Sequence, residues 1–70
     1  MRRYPVLSSA IRAVGYDQGT HTLEVEFRSG SVYDYEDVPP EEVLGLLESD
    51  SLGRYFATTI RPNHAARRAA

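Results

Sequence analysis

The stretch TLEVEFR, residues 22–28, decides the fold of this chain. Apolar and polar side chains alternate along it, which is typical of a β-strand with one buried face. Leu23, Val25 and Phe27 are therefore predicted to point into a core. A second run, SVYDYE at residues 31–36, is rich in β-branched and aromatic residues, so the two runs predict an antiparallel hairpin.

The turn of this hairpin decides which side chains share a face. A two-residue loop would need a positive φ at Ser29, which serine adopts poorly. A three-residue loop instead places Gly30 at the left-handed bulge position, and we favour it. The pairs in this register are Leu23 with Tyr35, Val25 with Tyr33 and Phe27 with Ser31. The opposite face then carries Thr22, Glu24, Glu26, Asp34 and Glu36.

Residues 10–16 predict a further strand upstream, joined to the hairpin by the polar turn at residues 17–20. Ile11 and Val14 cannot both point inward on a regular period of two. Either a bulge separates them or one of them is half exposed.

Two helices are predicted after the strands. The segment VPPEE, residues 38–42, begins the first, because proline suits a first helical turn and carboxylates favour its positive end. This helix runs to about Glu48, and Gly45 within it indicates a close approach to another element. Its apolar stripe consists of Val43, Leu44, Leu46 and Leu47. The segment SDS, residues 49–51, caps a second helix with apolar residues at helical spacing up to Ile60.

The element order β-β-β-α-α predicts an α+β domain, in which a three-stranded antiparallel meander is followed by two helices packed on one face. Residues 1–8 are expected to form a basic lead-in and residues 9–61 a single domain. Residues 62–70 are expected to form a basic tail, and the sequence leaves open whether this tail is ordered without a partner.

The composition excludes several classes of protein. Seventy residues leave room for one small core and no separate catalytic domain. The absence of cysteine excludes disulfides, thiolate metal sites and thiol nucleophiles. The apolar runs are too short for a secretory signal or a membrane span, so we expect a cytoplasmic protein without a membrane role.

The motifs of the chain, in this order, resemble the KTSC domain family, which is named for a segment at the carboxyl end of some lysyl-tRNA synthetases. The residues that carry the resemblance are Ser9-Ala10-Ile11, Val14-Gly15-Tyr16-Asp17, Leu23-x-Val25-x-Phe27-x-x-Gly30, Tyr33-x-Tyr35, Val38-Pro39, Ser51-x-Gly53-x-Tyr55-Phe56 and Ile60-Arg61. The resemblance covers residues 9–61 and implies a small bacterial protein of a family without an established activity. A role in RNA binding is implied only by the association with a synthetase.

Tyr33 and Tyr35 are the first candidate site, since aromatic rings on an exposed sheet can stack on bases. We favour core packing beneath the helices for both rings. A second candidate is the anion site that Ser51, Gly53 and Arg54 would form at a helix start. Ordinary helix capping is the favoured interpretation there.

Arginine placement is the third candidate site. The net charge of −2 combines eight arginines with ten acidic residues. Residues 1–16 carry +3, residues 17–53 carry −9 and residues 54–70 carry +4. If both termini leave the fold on one side, a basic patch that contacts phosphates would result. Its members would be Arg2, Arg3, Arg54, Arg61, Arg67 and Arg68. The alternative is that these charges only keep the chain ends solvated.

Catalysis has little support in the sequence. His21 lies by a turn and His64 in the tail, and neither has a nucleophile beside it. The carboxylates of residues 36–42 lack the spacing and the central glycine of a calcium loop. We therefore expect no catalytic residues, no cofactor, no metal site and no small-molecule substrate.

The sequence thus predicts a non-enzymatic binding module. Contact with a protein partner or with a second copy in a homodimer is slightly favoured, because so small a core gains from further burial. A first or third strand at a sheet edge would allow a second copy to pair there. The alternative function is binding of RNA, including tRNA, by the arginines of the chain ends.

Overall fold

The computed structural model describes residues 2–70, and five antiparallel strands lie in chain order across one sheet. The strands are β1 (Arg3–Pro5), β2 (Ile11–Asp17), β3 (Thr22–Phe27), β4 (Val32–Tyr35) and β5 (Ala66–Arg68). Between β4 and β5 the chain forms α1 (Pro40–Glu48) and α2 (Leu52–Tyr55). A π-helical turn, Phe56–Ile60, continues α2. The helices pack against one face of the sheet, and the single hydrophobic core lies between the sheet and the helices.

The predicted α+β class is confirmed, but the predicted count of three strands is wrong, because the sheet has five. The additional strands are β1, within the predicted lead-in, and β5, within the predicted tail. All residues of both strands are exposed, so no hydrophobic period marks them in the sequence. The division of the chain at residues 9 and 61 stays a prediction, and Met1 lies outside the described residues.

The predicted hairpin register is confirmed. Val25 lies opposite Tyr33, and the neighbouring pairs along β3 and β4 follow the same register. Gly30 has φ +99°, and its N–H donates to the carbonyl of Phe27 at 2.9 Å. The left-handed backbone conformation of this turn is thus adopted by a glycine, which has no steric penalty there.

A bulge in β2 explains how the apolar side chains of the first predicted strand face the core. The register with β3 shifts between Ile11 and Ala13. The extra residue lets both Ile11 and Val14 point into the core, where their exposed fractions are 1% and 4%.

The apolar stripe of α1 is narrower than predicted. Val43 and Leu46 are buried, whereas Leu44 and Leu47 are 56% and 52% exposed. The fold covers only the side of the helix that carries Val43 and Leu46, so the other half of the predicted stripe lies on the surface. The buried core cluster consists of Ile11, Val14, Leu23, Val25, Tyr35, Val38, Val43, Leu46, Leu52, Phe56 and Ile60.

Gly45 marks the close approach that the sequence predicts. A Cβ at this position would lie 2.9 Å from Cζ of Tyr55, which is closer than side chains normally pack. The ring of Tyr55 therefore occupies the space that any larger residue at position 45 would need. In the described part of the chain, no helix has the length and apolar character that crossing a membrane requires.

Candidate functional site

An apolar groove lies between β1, β2 and α1. Tyr4, Tyr16, Val43 and Leu47 line a cavity of about 340 Å³ there, and Leu44 continues the surface beyond Leu47. We call these five residues the apolar groove. Three of them, Tyr4, Leu44 and Leu47, are more than half exposed, and contiguous exposed apolar surface commonly marks a binding site.

The floor of the apolar groove is held by Tyr16. Its Oη donates to the carbonyl of Val38 at 2.5 Å, which ties β2 to the segment before α1. Burial, assisted by the nearby carboxylates of Glu41 and Asp17, raises the pKa of Tyr16. The phenol thus remains a neutral hydrogen-bond donor.

A second surface joins arginines to aromatic rings near β4 and β5. The ring centroids of Phe27 lie 6.1 Å from Tyr33 and 5.6 Å from Phe56. The guanidinium carbon of Arg68 lies 6.0 Å from the centroid of Tyr33, and that of Arg61 lies 5.7 Å from the centroid of Phe56. We call these five residues the arginine–aromatic surface. It combines cations with ring faces, as sites for stacked bases and phosphates do.

The two tyrosines of β4 have different surroundings. Tyr35 is 4% exposed and packs edge to face on Phe56 at 5.2 Å, so its predicted core packing is confirmed. Burial raises the pKa of Tyr35, although the charge of Arg61 acts in the opposite direction. Tyr33 is only half-buried, so part of its ring remains available on the surface.

The arginines of the two chain ends do not form one patch. β1 and β5 are the opposite edges of the sheet, about 19 Å apart at four strand spacings. Nε of Arg3 lies 3.6 Å from Oε1 of Glu24. The guanidinium nitrogens of Arg67 lie 3.4 Å from Oδ2 of Asp34 and 3.7 Å from Oε2 of Glu36. The condition for a contiguous basic patch is therefore not met, since acidic side chains on the outer face of the sheet engage two of its members.

Ser51 caps α2, as the favoured interpretation predicts. Its Oγ accepts from the N–H of Arg54 at 3.2 Å. A Cβ at Gly53 would lie at ordinary contact distance, 3.7 Å, from Oγ of Ser8. An anion site at Ser51, Gly53 and Arg54 stays a prediction.

On the outer face of the sheet, Glu24 lies directly opposite Asp34. Burial, then a hydrogen bond and repulsion from Asp34, raise the pKa of Glu24, while Arg3 acts in the opposite direction. Within residues 2–70, the buried Oδ1 of Asp34 has no hydrogen-bond partner. These carboxylates give the outer face an acidic centre, which disfavours phosphate there.

Sequence reasoning missed the role of His64. Its Nδ1 lies 3.0 Å from the carbonyl oxygen of Glu36, and its Nε2 lies 2.7 Å from Oε1 of Glu42. The imidazole thus fastens the segment before β5 to α1. An isolated histidine in a small, basic tail gives no signal for such a contact.

The exposed leucines of α1 were the second feature missed. Their helical spacing was visible in the sequence, but that spacing does not show whether another element covers them. The resulting architecture is that of a small α+β domain, a five-stranded meander with helices on one face and a surface groove at one side.

The sequence model of the KTSC domain matches residues 7–64, and the chain belongs to the KTSC domain family. An uncharacterised protein from Stutzerimonas stutzeri (strain A1501) is 53% identical over 64 residues, covering 91% of this chain and 90% of that protein. The lysine–tRNA ligase of Nostoc punctiforme is 41% identical over 61 residues, covering 83% of this chain and 11% of the ligase. The resemblance found in the motifs is thereby confirmed.

A solved structure shares the whole fold. The crystal structure of a KTSC domain protein from Yersinia pestis superposes with a TM-score of 0.94 at 33% sequence identity. The match covers 99% of this chain and 97% of the other. Because the coverage is nearly complete on both sides, the flanking strands are included in the match.

Proposed function

We propose that the chain is a small non-enzymatic binding module whose apolar groove contacts a protein surface. The observation that carries this proposal is the exposure of Tyr4, Leu44 and Leu47 along two adjoining cavities that share Leu47. Soluble domains rarely leave such side chains together in water unless a partner covers them. A domain with so small a core also gains stability from further apolar burial.

The histidines support a non-enzymatic role. Both ring nitrogens of His64 lie within hydrogen-bond distance of groups on Glu36 and Glu42, which is a structural arrangement. His21 is an exposed turn residue with φ +55°. A cytoplasmic setting belongs to the same proposal.

Site-specific photo-crosslinking in cells tests the proposal. A photoreactive residue at Leu47 is expected to form a crosslink to protein, identified by mass spectrometry as this chain or another. The control position is Thr58, which is exposed on the π-helical turn away from the groove. Equal labelling from both positions would overturn the proposal.

RNA binding is the second candidate function, and the arginine–aromatic surface favours it. Arg61 lies over the buried ring of Phe56, and Arg68 lies over the ring of Tyr33. Tyr33 is the partly exposed ring at the edge of this aromatic cluster. A stacked base gains about 1 to 3 kcal/mol from such a ring. The similarity to a segment of lysine–tRNA ligases supports tRNA as the RNA concerned.

Fluorescence anisotropy with labelled tRNA and with an unstructured RNA tests this candidate. Tyr33→Leu is expected to weaken binding of the unstructured RNA about tenfold, because a stacking partner is lost. Equal affinity of the wild type and this variant would remove stacking from the proposal. No binding of either RNA at low salt would overturn the candidate function.

A further inference from the structure

The apolar groove has one basic side and one acidic side. On the β1 side, the guanidinium carbon of Arg2 lies 5.7 Å from the ring centroid of Tyr4. On the α1 side, Leu47 is followed by the exposed carboxylate of Glu48. Glu48 lies one helical turn after Leu44 on the same face of α1, so its carboxylate borders the exposed leucines of the groove, while Arg2 borders Tyr4.

We infer that the apolar groove binds a second copy of this chain in a two-fold arrangement, with Arg2 of each copy facing Glu48 of the other. This inference rests on the proposed function and names the partner. A two-fold axis through the groove exchanges its two sides. The basic side of one copy then meets the acidic side of the other, so the surface is complementary to itself.

The edges of the sheet are poorer sites for a second copy. The first and third predicted strands, β2 and β4, are interior strands, so the expectation that one of them would be a pairing edge is wrong. The true edges, β1 and β5, have three residues each. Pro5 in β1 also lacks the N–H that a new ladder needs. Short edge strands and proline are features that prevent pairing.

An interface of standard size on so small a domain would include both sides of the groove. A standard interface buries about 800 Å² per partner. The principal extents of this domain are 27 × 25 × 21 Å, so an interface of that size occupies most of one face. Arg2 and Glu48 would then lie inside the interface or at its rim.

Charge reversal tests the arrangement, with association measured by sedimentation at low ionic strength. Arg2→Glu alone and Glu48→Arg alone are each expected to weaken self-association at least about tenfold, because each homodimer gains two repulsive contacts. An equimolar mixture of the two variants is expected to associate like the wild type, because the mixed dimer restores both opposite-charge contacts. The control pair, Arg12→Glu and Glu26→Arg, changes the same charges outside the groove.

The outcomes separate this inference from the proposed function. A wild type that sediments as the 7.9 kDa monomer at all concentrations overturns the second copy as partner. The proposed function then still stands if position 47 crosslinks to a different protein. A wild-type dimer whose variant mixture fails to recover overturns the two-fold arrangement. Because Arg2 and Glu48 are exposed, circular dichroism of each variant is expected to match the wild type.

Discussion

His64 and Glu42 are 22 residues apart in the chain and are joined directly, because Nε2 of the imidazole lies 2.7 Å from Oε1 of the carboxylate. The same imidazole reaches the backbone of Glu36 through Nδ1. One side chain therefore connects α1, the end of β4 and the segment that leads into β5.

His64→Ala is expected to lower the free energy of unfolding by about 1 to 3 kcal/mol, because two polar groups lose their partner. The loss of protection from hydrogen exchange is expected to be largest around β5. Hydrogen exchange at the amide of Ala69, which donates to Val32 at 2.7 Å, is expected to accelerate more than exchange in β3. His21→Asn is the control, because asparagine tolerates the positive φ of that exposed turn. Equal protection of β5 in the variant and the wild type would contradict this role of His64.

Gly45→Ala is expected to destabilise the fold by about 1 kcal/mol, although alanine favours a helix interior over glycine by a similar amount. The reason is the ring of Tyr55, which occupies the space of the new methyl group. In a Tyr55→Ala background the same substitution is expected to stabilise the protein. Urea unfolding of the four proteins measures this reversal of sign. A stabilising effect in both backgrounds would show that the contact places no constraint on position 45.

Glu24→Gln is expected to raise stability at neutral pH. The folded-state pKa of Glu24 is raised by burial and by Asp34, so ionisation of Glu24 costs folding free energy once the pH exceeds its ordinary value of about 4.3. The advantage of the variant is expected to grow from that pH up through the raised pKa and to vanish below it. Urea midpoints measured from pH 4 to pH 8 test this, and Glu26→Gln controls for the substitution itself. A variant no more stable than the wild type at pH 7 would contradict the assignment.

The sequence was informative where a local rule was strict. The alternation in β3 predicted its buried face, and Gly30 selected the hairpin register, because only a left-handed turn residue fits that loop. β1 and β5 could not be predicted, because each is a short exposed segment without a hydrophobic period. Their position depends on the backbone hydrogen bonds that β2 and β4 leave available.

The candidate site was predicted only in part. Tyr33, Arg61 and Arg68 were singled out by residue type, and the structure brings them onto one surface. The apolar groove was missed, since a helical stripe in the sequence does not show how much of it another element covers. Leu44 and Leu47 are largely exposed. Whether another element packs against a helical residue depends on the tertiary structure, which a local sequence pattern does not show.

Arg67 and Arg68 are neighbours in β5, and they give a matched pair for testing RNA binding. Arg68 lies over the ring of Tyr33 on the helix side of the sheet, whereas Arg67 lies between Asp34 and Glu36 on the outer face. Arg68→Gln is expected to reduce the salt slope of binding to unstructured RNA by about 0.7, the value for one phosphate contact on a single strand. Arg67→Gln removes the same charge from the same strand and is expected to leave that slope unchanged, because carboxylates already occupy its guanidinium. Anisotropy titrations across a range of salt concentrations measure both slopes. Equal reductions in the two variants would mean that RNA is bound by long-range charge rather than by the arginine–aromatic surface.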